Sequence, residues 1–252
     1  MYSEDQGFQE FAQAMANEKV EARHRRALQE IKQALRMPLE SDVAQHQPVL
    51  FDVGSGTGAF LMAAREAGFE VHGNEFSTTA IRMARETHRI ELSSLAIEED
   101  ERSGYFDVIT LWGVIEHALD PRGLLENSFR LLRSGGLLFA YTPVWCLYDN
   151  IALGFSRASL GHWTRLLDRR ITTAHLQLFS QPVLERTLAN VGFNLISSER
   201  VCEYNLHLAA YLESLGIPAR ARGGIAWALE QLIERGLFFR NNIRVLCRKR
   251  NR

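Results

Sequence analysis

Apolar positions divide the chain into two textures. Residues 9–35 are mostly polar and helix-prone, and Pro38 ends the run. Phe8, Phe11, Met15, Val20, Leu28, Ile31 and Leu35 form an irregular apolar stripe there. That stripe predicts one or two surface helices lying on another part of the protein. From Val49 onward, short apolar runs alternate with helix-like segments. Residues 49–53, 69–73, 90–95, 105–112, 137–141, 193–201 and 242–247 read as strands. Residues 59–67, 78–87, 121–132 and 182–191 read as helices between them, with Ser77 and Asp120 placed as N-caps. Gly68, the Gly135-Gly136 pair and Gly192 stop three of these helices. Two further helical segments, 207–215 and 225–235, precede the last strand.

Strands alternating with helices across short joints imply βαβ units and a parallel sheet. The expected fold is therefore α/β, a Rossmann-like doubly wound sheet of about seven strands. Residues 142–178 break the pattern. They are too long for a simple joint and carry Trp145, Tyr148, Phe155 and Trp163, which suits a lid or substrate wall. The expected organisation is a helical cap over residues 1–47, a nucleoside-binding core over 48–143, a lid over 144–178, and a return to the core over 179–252 with a second cap at 207–240.

Composition narrows the partners. A chain of 252 residues suits one large domain, or one domain with a cap, and 46% apolar residues provide ample core. The net charge of −1 gives no general attraction to nucleic acid or to an anionic membrane. Cys146, Cys202 and Cys247 are widely separated, so neither a disulfide framework nor a zinc site is expected. No signal peptide and no apolar run of membrane-spanning length is visible, so a cytoplasmic protein is expected.

The chemistry centres on Gly54-Ser55-Gly56-Thr57-Gly58, between a strand and a helix. Alternate glycines let the backbone turn sharply and approach a ligand, while the helix start presents free N–H groups to an electronegative moiety. Glu75 closes the next strand 17 residues after Gly58. Its carboxylate can accept from both hydroxyls of a ribose. Gly54, Gly56 and Ala59 also satisfy a dinucleotide pattern, so the turn alone admits either NAD or an adenosyl cofactor. Asp52 argues against a pyrophosphate, which it would repel, and for a cationic ligand.

Several blocks together resemble one family. Residues 50–58, LFDVGSGTG, resemble motif I of class I S-adenosylmethionine-dependent methyltransferases. Phe106-Asp107-Val108, Glu116-His117 and Asp120-Pro121 resemble that family's block after the fourth strand. Residues 131–138, LLRSGGLL, resemble its turn into the fifth strand, with Ser134 where proline is usual. His175, Phe179-Ser180, Leu184 and Gly192-Phe193 resemble the small-molecule, ubiquinone-methyltransferase-like branch. The resemblance covers about residues 49–196. It implies an S-adenosylmethionine cofactor, with Gly54, Ser55, Gly56 and Gly58 holding the methionine moiety and Asp52 near its amino end. It further implies Glu75 at the ribose, Phe76 along the adenine, Ser94 and Leu95 at the adenine edge, and Trp112, Gly113 and Val114 lining the methyl-transfer side. It makes the last strand antiparallel.

Methyl transfer from a sulfonium is an in-line displacement, so alignment matters most and a base helps a hydroxyl acceptor. His117, after the strand end facing the cofactor, is the first choice for that base and His175 the second. A purely structural role for Glu116-His117 stays open. His162, His207, Tyr148 and Tyr204 lie in expected cap segments. No acidic or histidine cluster along the sequence argues for Mg²⁺ or Zn²⁺, so no metal is expected. The expected function is methylation, at O, N or C, of a small, partly apolar molecule in secondary or cofactor metabolism. A non-catalytic binding protein on the same fold and an NAD-dependent oxidoreductase are the alternatives. The expected partner is the methyl acceptor, with no nucleic acid and no membrane, and a homodimer is left open.

Overall fold

Val49–Val53 is buried at every position, as a strand covered on both faces must be. The computed structural model describes residues 18–36, 47–159, 175–202, 208, 212–213 and 216–250. Among these, six strands form one sheet: β1 (Val49–Val53), β2 (Glu70–Asn74), β3 (Phe106–Trp112), β4 (Leu132–Pro143), β5 (Phe193–Val201) and β6 (Asn242–Lys249). Seven α-helices accompany them: α1 (Glu18–Arg36), α2 (Ala59–Glu66), α3 (Thr78–Met83), α4 (Pro121–Leu131), α5 (Leu147–Ala158), α6 (Gln181–Val191) and α7 (Ala219–Glu234). This is an α/β, Rossmann-like, doubly wound architecture.

The strand order is β2-β1-β3-β4-β6-β5. β1 lies parallel to β2 on one side and to β3 on the other. The chain therefore winds outward in both directions from β1, which leaves a crevice at its carboxyl end, where ligands bind in such sheets. β6 runs antiparallel between β4 and β5. Side-chain alternation separates two cores. Phe51, Ile109, Leu111 and Leu138 pack beneath Leu125 of α4 and Leu184 of α6. Leu50, Val108, Leu137 and Phe139 pack beneath α1 and α2 on the other face.

The polar N-terminal segment proves to be part of that second core. Ala27, Leu28, Ile31 and Ala34 of α1 are buried against Phe60, Leu61 and Ala64 of α2. Lys32 Nζ donates to Ala67 O at 2.9 Å and Arg248 Nη2 to Ala34 O at 2.7 Å. Both bonds cover carbonyls at helix C-terminal ends, which have no partner within the helix.

Three expectations change. The strand expected at 90–95 is reduced to one bridge, Asn74 with Ser93, so the sheet has six strands rather than seven among the described residues. Ser93 Oγ accepts from Leu95 N at 3.1 Å, and this local turn carries the chain off the sheet edge. The helix expected through residue 87 stops at Met83 and finishes as a π turn, Ala84–His88, closed by Arg89 with φ 53°. Gly135-Gly136 is not a turn before the strand but an irregularity inside β4, where the register with β3 slips between Phe106 and Val108. A Cβ on Gly136 would stand 3.0 Å from Arg133 O and 3.1 Å from Asp107 O, so two backbones meet there. Asp107 anchors the slip: it accepts from Val49 N at 2.7 Å and pairs with Arg133 at 2.7 Å.

Trp163, His162, Tyr204 and His207 lie outside the described residues, as do the beginning of the expected N-terminal cap and residues 160–174 of the expected lid. No helix among the described residues is long and apolar enough to cross a membrane.

Burial of α1 has a measurable consequence. Ile31 is 0% exposed. Ile31→Ala should cost about 2–5 kcal/mol of stability, read from the shift in denaturant midpoint. A loss below about 0.5 kcal/mol, typical of surface sites, would mark α1 as a detachable layer.

Candidate active site

The turn after β1 is built from positive dihedrals. Gly54, Gly56 and Gly58 have φ of 64°, 54° and 77°, which side chains with a Cβ rarely adopt. Its amides are held by the end of β2. Gly54 N donates to Asn74 Oδ1 at 3.1 Å, Ser55 N to Asn74 O at 2.9 Å, and Gly56 N to Glu75 Oε2 at 2.9 Å. The other Glu75 oxygen accepts from Phe76 N at 2.8 Å and Ser77 N at 2.9 Å. Asn74 also reaches the segment beyond β2, donating from Nδ2 to Leu95 O at 2.9 Å. Beside this junction Phe76 and Leu95 expose apolar side chains, 68% and 55% accessible, and Ser94 is exposed too.

Two residues here escaped the sequence reading. Asn74 ties the glycine turn to the 93–95 segment, a role that needs a side chain with both a donor and an acceptor. Gly73 lets the turn sit down on β2, since a Cβ there would be 2.2 Å from Ser55 Oγ and 2.9 Å from Asp52 O. The one available signal was a glycine inside a strand, which often marks close backbone approach.

Asp52 lies beneath the turn. It is 2% exposed, and its Oδ1 accepts from Thr110 Oγ1 at 2.6 Å. Ser55 Oγ donates to its backbone carbonyl at 2.8 Å. Burial pushes its carboxyl up to about 7; the nearby Glu75 charge adds to the rise, while the Thr110 and Ser55 bonds oppose it.

α1 reaches the same end of the sheet. His24 packs edge-on against Phe60 and Trp112, at ring separations of 5.2 and 5.0 Å. Burial pulls its imidazole down to about 4, and the Arg23 charge helps. Arg23 stands over the Tyr141 ring at 4.8 Å. Trp112 Nε1 is buried without a hydrogen-bond partner among the described residues, so a donor is unsatisfied at the mouth of the crevice.

The end of β3 closes the other side. Gly113, with φ 64°, donates its N–H to Tyr141 O at 2.8 Å. Val114 Cγ2 lies 3.0 Å from where a Cβ on Gly54 would be, so the loops after β1 and β3 touch. Next come Glu116 and His117 in a single 3₁₀ turn, Ile115–His117. Glu116 is buried; its Oε2 accepts from Thr142 Oγ1 at 2.9 Å and its Oε1 lies 3.9 Å from His117 Nε2. Burial raises its carboxyl, against the Thr142 bond and the two neighbouring imidazoles.

His175 joins this group, its ring centroid 4.9 Å from that of His117. Its segment is clasped in place: Leu176 N and Gln177 N donate to Glu116 O at 2.9 and 3.3 Å, and Gln177 Nε2 donates to Ala118 O at 3.1 Å. Along the sequence no acidic or histidine cluster argues for a metal; the fold brings one such group together. Ligand-capable atoms of Glu116, His117 and His175 all lie within 4.8 Å of one another. A separation of 58 residues along the chain conceals that cluster.

Of the residues singled out by sequence, Asp52 lies in β1, Gly54, Ser55, Gly56 and Gly58 make the turn after it, and Glu75 holds that turn from the end of β2. Phe76, Ser94 and Leu95 flank it beyond β2, and Trp112, Gly113 and Val114 border it at the end of β3. His117 and His175 stand together after Val114. Trp145 lies after β4 with its Nε1 on Asn150 Oδ1 at 3.0 Å, and Tyr148 packs at 6.0 Å from Phe239.

Asp52 makes stability depend on pH. Its folded value of about 7 lies above the reference of 3.8, so the folded state holds the proton more tightly. Its favourable contribution is complete below about pH 4 and is lost as pH rises through about 7. His24 acts oppositely, losing stability as pH falls from 6.5 towards 4. Comparison with Asp52→Asn isolates the first effect. Between about pH 4 and about pH 8 the variant should gain up to about 4 kcal/mol relative to the parent, measured by denaturant unfolding. A constant difference across that range would mean that Asp52 ionises as an ordinary carboxyl.

Three similarities to known proteins accompany this geometry. The chain is 30% identical over 144 residues to a ubiquinone biosynthesis O-methyltransferase of Xanthomonas oryzae, covering 53% of this chain and 56% of that protein. It is 28% identical over 103 residues to the protein of the same name from Nitrosomonas europaea, covering 38% and 44%. The matches thus span about half the length of these relatives. In fold it is similar to phosphoethanolamine N-methyltransferase 2 of Haemonchus contortus, solved in complex with S-adenosyl-L-methionine. That match has a TM-score of 0.61 at 17% identity, covering 98% of this chain and 57% of the other. The family model described as "Methyltransferase domain" matches residues 16–198, well over half of the sequence. The chain belongs to the methyltransferase-domain family.

Proposed function

We propose that the protein binds S-adenosylmethionine in the crevice after β1 and transfers its methyl group to a small, partly apolar acceptor. The observation that carries this reading is the glycine turn, clasped by Asn74 and Glu75 above the buried Asp52. The residues fit the cofactor. A Cβ on Gly56 would meet nothing within 4 Å, so the turn opens onto free space. Exposed Phe76 and Leu95 offer apolar faces for a flat adenine. A buried carboxylate beneath the turn favours a cationic amino acid moiety over a pyrophosphate, which counts against the NAD alternative.

Bound S-adenosylmethionine supplies a methyl group on a cationic sulfur, open to in-line displacement. The chain's part is to align donor and acceptor and to exclude water, and good alignment contributes about 7–11 kcal/mol. Glu75 would exchange its Gly56 and Phe76 amides for ribose hydroxyls. Trp112, Gly113 and Val114 border the methyl-transfer side. His117 and His175 are the groups placed to manage the acceptor's proton. Leu147, Ile151 and Phe155 expose apolar side chains along α5, which supports a partly apolar acceptor. Similarity to ubiquinone biosynthesis O-methyltransferases supports a role in cofactor or secondary metabolism.

Calorimetry with S-adenosylhomocysteine tests the cofactor. The parent should bind; absence of binding at millimolar ligand would sink the reading. Glu75→Ala should weaken affinity 10-fold or more, and an unchanged affinity would remove Glu75 from the ribose. Binding without any consumption of S-adenosylmethionine in a cell extract would favour the non-catalytic alternative. His117→Ala should lower turnover by about 10²–10⁴-fold while S-adenosylhomocysteine affinity stays within threefold; full turnover would leave His117 structural.

A further inference from the structure

We propose that a cavity at the amino end of the sheet, opposite the crevice, is a second ligand site, for a small phosphate monoester with an apolar body. The cavity measures about 590 Å³ and lies between the last turn of α4, the start of β4, the end of α6 and the end of β6. Small-molecule sites commonly measure ~300–1,000 Å³. Arg130, Lys249 and Arg250 supply its charge, and Phe129, Leu132 and Val191 its apolar wall. None of these residues belongs to the crevice, so the two sites stand or fall separately.

The end of α4 explains part of this arrangement. Its last carbonyls have no partner within the helix. Lys249 Nζ donates to Phe129 O at 2.6 Å and to Leu132 O at 2.7 Å. Arg130 Nη1 donates to Asp100 O at 2.8 Å, and its Nε and Nη2 reach Asn127 Oδ1 at 3.3 and 3.2 Å. These bonds hold two cations in place and spend them on neutral oxygens, so their charge is kept. Arg250 goes further, because it covers no helix end. Its Nε donates to Asn194 Oδ1 at 2.6 Å, and among the described residues its two Nη groups have no partner.

Charge selects the ligand. Glu126 is the one carboxylate lining the cavity, and it already pairs with Arg122 at 2.8 Å. Among the described residues, neither Arg130 nor Arg250 pairs with any carboxylate. An excess of fixed positive charge suits a dianion better than a monoanion, and a phosphate monoester carries about −1.5 to −2 at neutral pH. Two guanidinium groups match its oxygens in geometry as well as in charge. Ser134 adds a hydroxyl at the rim, at the position where proline is usual in the family. Phe129, Leu132 and Val191 leave the ester group an apolar surface to lie on.

The test is calorimetry of the full chain with phenyl phosphate, and with phenyl sulfate and benzoate as monoanions of similar shape. The parent should bind one phenyl phosphate per chain and bind both monoanions at least 10-fold more weakly. Affinity should fall as pH drops through about 6, where the monoester takes up its second proton. Arg250→Gln and Arg130→Gln should each weaken binding 10-fold or more. If Arg130→Gln does not fold, the exposed Arg250→Gln carries the comparison. Saturating S-adenosylhomocysteine should leave the affinity within threefold. Absence of binding at millimolar phenyl phosphate would overturn the site. Equal binding of the monoanions would overturn the phosphate assignment. Undiminished affinity in Arg250→Gln, or competition by S-adenosylhomocysteine, would place the probe elsewhere and overturn the proposal as well.

Discussion

Three consecutive amides of the turn after β1 are held by two residues at the end of β2, Asn74 and Glu75. Left alone, a backbone with three positive dihedrals would lose its conformation and leave its N–H groups to water. The clasp fixes it at the point where the sheet order reverses. It also decides the neighbourhood: the other end of Asn74 holds Leu95, Glu75 turns Phe76 and Ser77, and Gly73 clears the space in which Ser55 can sit. The crevice is a consequence of β1 and β2 lying in register, Asp52 opposite Gly73 and Val53 opposite Asn74.

Beneath the turn the two core faces impose a charge problem. Asp52 and Thr110 point to the face covered by α1 and α2, and the carboxyl, 2% exposed, accepts from the Thr110 hydroxyl. An anion there is costly until a cation arrives, so an apo protein with a partly protonated Asp52 would be poised to favour a positively charged ligand. His24, on the helix that covers the same face, is held neutral by the same burial. The helix that shields these groups contributes core packing along its length and sets His24 against Phe60 and Trp112.

The end of β3 depends on a different device. The 3₁₀ turn after β3 is too short to organise a site, so the segment at 175–177 is bonded onto it through Glu116 O. β4 adds Thr142 from its carboxyl end. Three separate parts of the chain thereby converge on one buried carboxylate flanked by two imidazoles.

Glycine spacing at 54–58, the strand before it and the helix after it were legible in the sequence because they are local: positive dihedrals demand glycine, and helix starts demand free amides. The alternation of strands and helices was legible for the same reason, and family resemblance extended it to the blocks at 106–121 and 131–138. Serine chemistry at Ser93 and the close backbone approach at Gly136 were not, because each competes with a pattern that reads as something else, an apolar strand in one case and a Gly-Gly turn in the other. The packing of α1 was legible as an apolar stripe through Val20, Leu28 and Ile31, but which core that stripe joins was not. Chain order alone determined the doubly wound sheet and the place of its crevice. Which side chains support that crevice — Asn74, Gly73, Thr110 and His24 — and the meeting of Glu116, His117 and His175 were decided only by tertiary structure, because contacts between residues up to 88 positions apart, as His24 with Trp112, leave no periodicity in the sequence.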